Sequence, residues 1–171
     1  HPAAFVAGVL THDPGMYPKR LILDDARNGG VPILGLDVNA SSQDYRVERD
    51  ETGRLGIRVA LADVKGISSE EVARIVAGAP YGDLEDFWRR ARVSLPVLER
   101  LVLAGAFDAL YGLDPHRELG RRGRLTRRDL LLHVAELDRW GRAVDGPSGS
   151  SPSTRGAGRA SSHRPARARG A

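Results

Sequence analysis

Leu61-Ala62-Asp63-Val64-Lys65-Gly66-Ile67-Ser68-Ser69-Glu70-Glu71-Val72 is the stretch on which the reading of this chain turns. Gly66 follows an apolar run, tolerates the backbone of a tight turn, and leaves no Cβ in the way of an approaching group. Ser68 is a helix N-cap and Glu71, three residues later, completes a capping box; Ile67 and Val72 flank that cap with the spacing of a hydrophobic staple. These signals fix one helix start, and Gly78 and Pro80 set its end. Such a turn aims backbone N–H groups and the positive end of a helix dipole outward, where an anion is the natural partner. Lys65, beside the turn, adds a charge.

This is the shape of a helix-hairpin-helix. A weaker copy follows in Leu98-Glu99-Arg100-Leu101-Val102-Leu103-Ala104-Gly105-Ala106-Phe107, turning at Gly105 with no charge in the turn itself. Paired hairpins can straddle a nucleic-acid duplex and grip both backbones. The candidate phosphate contacts are Lys65, Gly66, Ser68 and Ser69 at the first turn and Gly105 at the second, with Arg89, Arg90 and Arg92 between them. The Ser68 hydroxyl can cap the helix or donate to phosphate, but not both well. Backbone contacts carry no sequence information, so binding should be nonspecific, with log affinity falling against log salt at a slope of roughly −2 to −4 for two to four phosphates. The plain alternative is a pair of αα-hairpins that merely pack, each arginine a solvated helix residue.

Composition agrees with a polyanion partner. The 171 residues carry a net charge of +4 and a pI near 9.9, and Lys19 and Lys65 are the only lysines among 26 basic residues. Arginine forks match phosphate geometry, although a solubilising arginine-rich surface would look the same. With no cysteine, disulfides and thiolate metal sites are excluded, as suits a reducing, cytoplasmic location. No apolar run approaches membrane-spanning length, so no membrane partner is expected.

Working outward, the fold expected is mainly α with a small β-element. Residues 1–60 form a first region. Its first helix runs from Pro2 to Leu10 with Phe5, Val6, Val9 and Leu10 as the buried stripe; its second runs from Pro18 to Arg27 and ends at Asn28-Gly29-Gly30. Short strands follow at Val31–Leu34, Tyr45–Glu48 and Gly56–Leu61, the last two joined by a turn at Asp50–Gly53; these strands and the stripe of the first helix are expected to need a neighbouring domain as cover. Residues 61–112 hold the tandem hairpins, with further helices starting at Asp83 and at Ser94-Leu95-Pro96. Residues 113–142 are a linker and a final helix from Thr126 and Asp129 through Leu130, Val134 and Leu137. Residues 143–171, rich in Ser, Gly, Pro and Arg, read as a disordered tail.

Catalytic chemistry is harder to find. Asp24 and Asp25 are adjacent on a helix, so their side chains diverge by about 100° and cannot clamp one metal together. Glu70 and Glu71 are explained by capping, and Asp83, Glu85 and Asp86 by another helix start. The histidines show no ligand spacing, and no Gly-rich phosphate loop is present. Where some DNA glycosylases carry a catalytic lysine in this hairpin, the chain has Ser69-Glu70-Glu71. No catalytic or metal-binding residue is assigned.

Taken in order, His1-Pro2-Ala3-Ala4-Phe5, Met16-Tyr17-Pro18, Asp37-Val38-Asn39, Ala62-Asp63-Val64-Lys65-Gly66-Ile67 and Leu103-Ala104-Gly105-Ala106-Phe107-Asp108 resemble one family over roughly residues 1–140. It is the bacterial C-family DNA polymerase, the DNA polymerase III alpha subunit with its error-prone paralogue, and the match falls on the end of the fingers and the tandem hairpin domain. The resemblance implies a parent enzyme of DNA replication or repair that adds nucleotides with Mg2+ held by aspartates upstream of this region; no cofactor is expected in this chain. It implies that the hairpins hold duplex DNA behind the growing end, through Lys65, Gly66, Ser68 and the Gly105 turn, and that Lys19 and Arg20 face template or nucleotide. Arginine-heavy composition and short loops favour the error-prone branch. The tail does not resemble the family's next segment, which leads to an OB-fold. The chain thus reads as a fragment, inactive alone, whose partners are duplex DNA and the remaining polymerase domains. Two rivals stay open: a non-catalytic protein-interaction module and a decayed gene remnant.

Overall fold

A computed structural model describes residues 2–12, 18–113 and 125–144. Helices α1 (Pro2–His12) and α2 (Lys19–Asn28) lead into strands β1 (Ile33–Leu34), β2 (Arg46–Arg49) and β3 (Leu55–Arg58). A 3-10 turn at Leu61–Asp63 opens the helical half: α3 (Ser69–Gly78), α4 (Leu84–Ala91), α5 (Leu95–Leu103), the short α6 (Asp108–Tyr111) and α7 (Arg127–Val144). The mainly helical fold with a small sheet is what the sequence implies. The expected tail falls outside the described residues from residue 145 on, as do residues 13–17 and most of the linker before α7.

β3 is the centre of the sheet, parallel to β1 with Ile57 opposite Ile33 and antiparallel to β2 with Ile57 opposite Val47. Gly56 makes this possible, because a Cβ there would lie 2.6 Å from the Pro32 carbonyl oxygen. The β2–β3 turn is tied by Asp50, whose carboxylate accepts the Thr52 and Arg54 N–H groups at 2.9 Å. β2 is an edge strand, and its Val47 stays exposed.

The sheet has its own cover. Ala3, Ala7 and Leu10 of α1 and Ala26 of α2 pack with Tyr45, Ile57 and Ala60 into a first core. The expected α1 stripe holds at Leu10 and Val6 but not at Phe5, which is 74% exposed while the small Ala3 and Ala7 face inward. Almost every α1 position is apolar, so periodicity does not select a face; close approach of backbones, which only small side chains allow, does.

The second core holds the hairpins, with Leu61, Val72, Ile75, Leu84, Phe87, Leu98, Leu101 and Phe107 at its centre. Phe87 meets Phe107 edge to face at 5.1 Å. Two segments from outside residues 61–112 pack into this core. Leu36 and Val38 leave the sheet region to join this core, the Val38 N–H donating to the Ala106 carbonyl at 2.9 Å. Asn39 pairs its side-chain amide with the Tyr81 backbone, accepting from its N–H at 2.7 Å and donating to its carbonyl at 3.0 Å. At the other end Leu130 and Val134 bury α7 in the same core, so the final helix is a wall of the hairpin unit.

Candidate nucleic-acid interface

The first turn is built as its sequence requires. Gly66 has φ +81°, and the Ile67 N–H closes the turn on the Val64 carbonyl at 3.1 Å. The capping box is complete: the Ser68 N–H donates to Glu71 Oε2 at 2.8 Å and the Glu71 N–H donates to Ser68 Oγ at 3.2 Å. The Ser68 hydroxyl is therefore spent on the cap. Glu71 is buried, and its second oxygen accepts the Ser94 N–H at 2.7 Å, tying the start of α3 to the start of α5. Burial pushes this carboxyl up, but the N–H groups of Ser68 and Ser94 outweigh that and hold it below its ordinary value.

Among the described residues, the N–H groups of Gly66, Ser69 and Glu70 find no acceptor within the protein, and all three residues are exposed. Lys65 is exposed beside them. Arg100, 35 positions on, donates from Nη1 to the Lys65 carbonyl at 2.7 Å. Its guanidinium lies where a Cβ on Gly66 would be, 2.7 Å from that point. No carboxylate pairs with Lys65 or Arg100 among the described residues, so both charges are uncompensated. Arg100 is the residue that sequence reasoning missed; its only local signal was its place off the Leu98–Leu101–Val102 seam of α5.

The second turn has the same backbone and a different environment. Gly105 has φ +83°, and its N–H and that of Ala106 close a helix C-terminal motif on the carbonyls of Val102 and Leu101. Arg127 of α7 covers it, donating to the Leu103 carbonyl at 3.0 Å and to Asp108 Oδ1 at 2.9 Å. A Cβ on Gly105 would strike Arg127 Nη2 and would lie 2.7 Å from Asp108 Oδ2. Gly105 is thus buried under a neutralised ion pair, and its own N–H is used inside the fold. Apolar Ala106 and Phe107 draw the turn inward; that is why it closes.

The three intervening arginines separate as well. Arg90 is consumed by the fold: it pairs with Asp86 at 2.8 Å, donates to the Pro80 carbonyl at 3.1 Å and to that of Gly78, and lies over the Tyr81 ring at 4.9 Å. Arg89 and Arg92 are exposed, and Arg92 ends α4 in the left-handed region at φ +47°. Arg74 donates to the Ala91 and Arg92 carbonyls, which places that end of α4 beside the middle of α3. Lys19 is held by Asp63 at 3.0 Å, and Asp63 in turn accepts from the Tyr45 hydroxyl. Arg20 remains exposed, its nearest carboxylate Asp24 at 3.9 Å.

Among the described residues no group of three or more His, Asp or Glu comes together as a metal site. Asp24 is turned to Arg27 at 2.9 Å, Asp86 pairs with Arg90 at 2.8 Å, and Glu71 and Asp83 cap α3 and α4. No helix among these residues is long and apolar enough to cross a membrane.

The geometry is that of a helix-hairpin-helix unit, and a family model described as "Helix-hairpin-helix motif" matches residues 30–118; the chain belongs to this family. The match begins before the strands and takes in both turns, in keeping with the place of Leu36 and Val38 in the hairpin core. The particular resemblance is to bacterial C-family DNA polymerases. The chain is 40% identical over 131 residues to the error-prone DNA polymerase of Nocardia farcinica, covering 73% of this chain and 11% of that protein. It is 36% identical over 149 residues to that of Ruegeria pomeroyi, covering 85% and 13%. It is 32% identical over 148 residues to error-prone DNA polymerase 2 of Rhizobium meliloti, covering 84% and 14%. The chain thus spans little more than a tenth of the length of these relatives.

Proposed function

We propose that this chain is the segment of an error-prone C-family DNA polymerase that holds duplex DNA by its phosphates, without regard to sequence. What carries the reading is the first turn: three free N–H groups, the N-terminal end of α3 and two uncompensated cations, Lys65 and Arg100, at one exposed point. The polymerase domains beyond this chain supply nucleotide addition and its Mg2+, and the chain's role is to keep the duplex in place.

Duplex binding is measured by fluorescence anisotropy on a random-sequence 20-mer. Lys65→Glu weakens it at least tenfold with an unchanged melting temperature, and the salt slope is roughly −2, one hairpin's worth of phosphate contacts. A salt-independent affinity refutes the phosphate reading. Purified alone, the chain extends no primer; template-dependent extension would show that the catalytic carboxylates have been missed.

A second reading, a protein-docking module, is favoured by α7, where Leu132 and Trp140 are 61% and 75% exposed. It predicts that Trp140→Ala leaves duplex binding intact while abolishing binding to the remaining polymerase domains.

A further inference from the structure

Between the two cores lies a cleft of about 460 Å³. Ile33, Leu36, Val59, Val64 and Ala104 form its aliphatic walls, and Arg27, Lys65 and Arg100 stand around it. The size is in the range of small-ligand sites. Asp63 is the one carboxylate in the lining, and it is already committed to Lys19 and Tyr45. The cleft therefore offers a weakly polar body a place among aliphatic side chains and offers an attached anion Lys65 and Arg100, Arg27 being paired with Asp24.

Nucleotides have this division: a flat, weakly polar base and a phosphate at one edge. An acidic peptide with one apolar side chain divides in the same way, but two observations favour the nucleotide. Lys65 belongs both to the cleft and to the first turn, so a phosphate held at that turn has its own base within reach. Arg100 adds a planar guanidinium, which can lie against a base as readily as it bonds to phosphate. A paired base points into the duplex and cannot enter. An unpaired one can.

We propose that the cleft receives the base of an unpaired nucleotide, a bulge or strand end, whose phosphate is held at Lys65 and Arg100. The proposal rests on the phosphate reading of the first turn and adds to it a preference for irregular DNA.

The test compares three labelled 20-base-pair duplexes on the full 171-residue chain: fully paired, with one bulged deoxyadenosine, and with an abasic bulge at the same place. The bulged deoxyadenosine binds about tenfold tighter than the paired duplex, the order given by burying one base face against aliphatic side chains. The abasic bulge loses that gain. Gly35→Leu adds bulk in the cleft lining at a position whose Cβ meets nothing within 4 Å, and Ala104→Trp adds it at a second, exposed lining position. Each erases the gain and leaves paired-duplex affinity unchanged; two independent variants guard against misfolding of either, which thermal melts report. Equal affinity for all three duplexes overturns the proposal, as does an abasic bulge that binds as tightly as the base, because bending alone then explains the preference. Saturation by free deoxyadenosine monophosphate below millimolar concentration, with no gain from the bulge, overturns the strand as the source. Binding of a Glu/Leu hexapeptide that Gly35→Leu abolishes, again with no gain from the bulge, reassigns the cleft to an acidic protein. If the paired duplex itself does not bind, the phosphate reading has failed, an outcome distinct from failure of the cleft alone.

Discussion

Gly66 and Gly105 turn the chain with nearly the same φ, +81° and +83°, and each has an arginine guanidinium over it that bonds a carbonyl of the turn. What differs is the arginine's company. Arg127 over Gly105 is paired with Asp108, and the turn beneath it is buried; Arg100 over Gly66 has no carboxylate among the described residues, and the turn beneath it is exposed. Local sequence makes a hairpin. Whether that hairpin can hold an anion is decided by what reaches it from elsewhere in the chain, and here one turn is sealed into the structure while the other is left open.

The largest effect belongs to the residue that joins the two. Glu71 caps α3 at the open turn and holds Ser94 at the start of α5, the helix that leads to the closed one. Glu71→Ala leaves two N–H groups without their acceptor and a gap in a buried position, costing about 3 kcal/mol of stability. Denaturant unfolding measures it; a loss below about 1 kcal/mol would mean that the two hairpins stand independently. Next in size is the pair of glycine substitutions. Gly105→Ala combines a left-handed backbone with displacement of the Arg127–Asp108 pair and costs about 2 kcal/mol, while duplex affinity stays within about twofold. Gly66→Ala costs about 1 kcal/mol, because exposed Arg100 can swing aside, but it puts a methyl group in front of the free N–H groups and weakens duplex binding. Equal effects of the two on binding would erase the distinction between the turns.

These expectations also show what the sequence could display. The capping box from Ser68 to Glu71, the end of α3 at Gly78 and the starts of α4 and α7 were legible because every partner lies within a few residues. The fates of the turns were not, since Arg100 reaches back 35 residues to Lys65 and Arg127 reaches back 24 to Leu103. Arg90 looked available because a sequence cannot show a guanidinium folded over the carbonyls of Gly78 and Pro80. The α1 face was hidden for another reason: with apolar residues nearly all around, the choice fell to Ala3 and Ala7, whose smallness matters only once α2 and the sheet are in place. Asp37-Val38-Asn39 marked the family by eye, but its task, carrying the chain from the sheet into the hairpin core, is visible only in the bonds to Ala106 and Tyr81.

The two arginines sharpen the comparison at the scale of about 1 kcal/mol. Arg100→Ala removes one uncompensated charge from the open turn, lowering the salt slope by about one and leaving stability within about 0.5 kcal/mol. Arg127→Ala does the reverse: it unpairs Asp108 and uncovers the Leu103 carbonyl, costing about 1 kcal/mol with no change in slope. Salt titrations and thermal melts on both variants separate the roles, and a slope change in Arg127→Ala would reopen the second turn as a phosphate contact.

The smallest effect is set by acid and again concerns Glu71. Its carboxyl is held below its ordinary value of 4.5 in the folded chain, so between the two values the unfolded chain binds more protons. The stability this contributes is complete above pH 4.5 and is lost as pH falls through the lower, folded value. Protonation keeps the side chain's shape and one acceptor oxygen, so the loss is smaller than in Glu71→Ala. Asp86 and Asp129, depressed in the same sense mainly by the Gly82 N–H and by Thr126, add a common acid sensitivity that must be subtracted. Glu71→Gln supplies the subtraction, because it keeps the size of the side chain and cannot titrate. Melting temperatures from pH 7 to pH 3 should fall more steeply for the native chain than for this variant, with the curves parting near pH 4.5. Parallel curves would mean that Glu71 holds the open turn to α5 by shape alone, and the charge on its carboxylate would have no part in joining the hairpins.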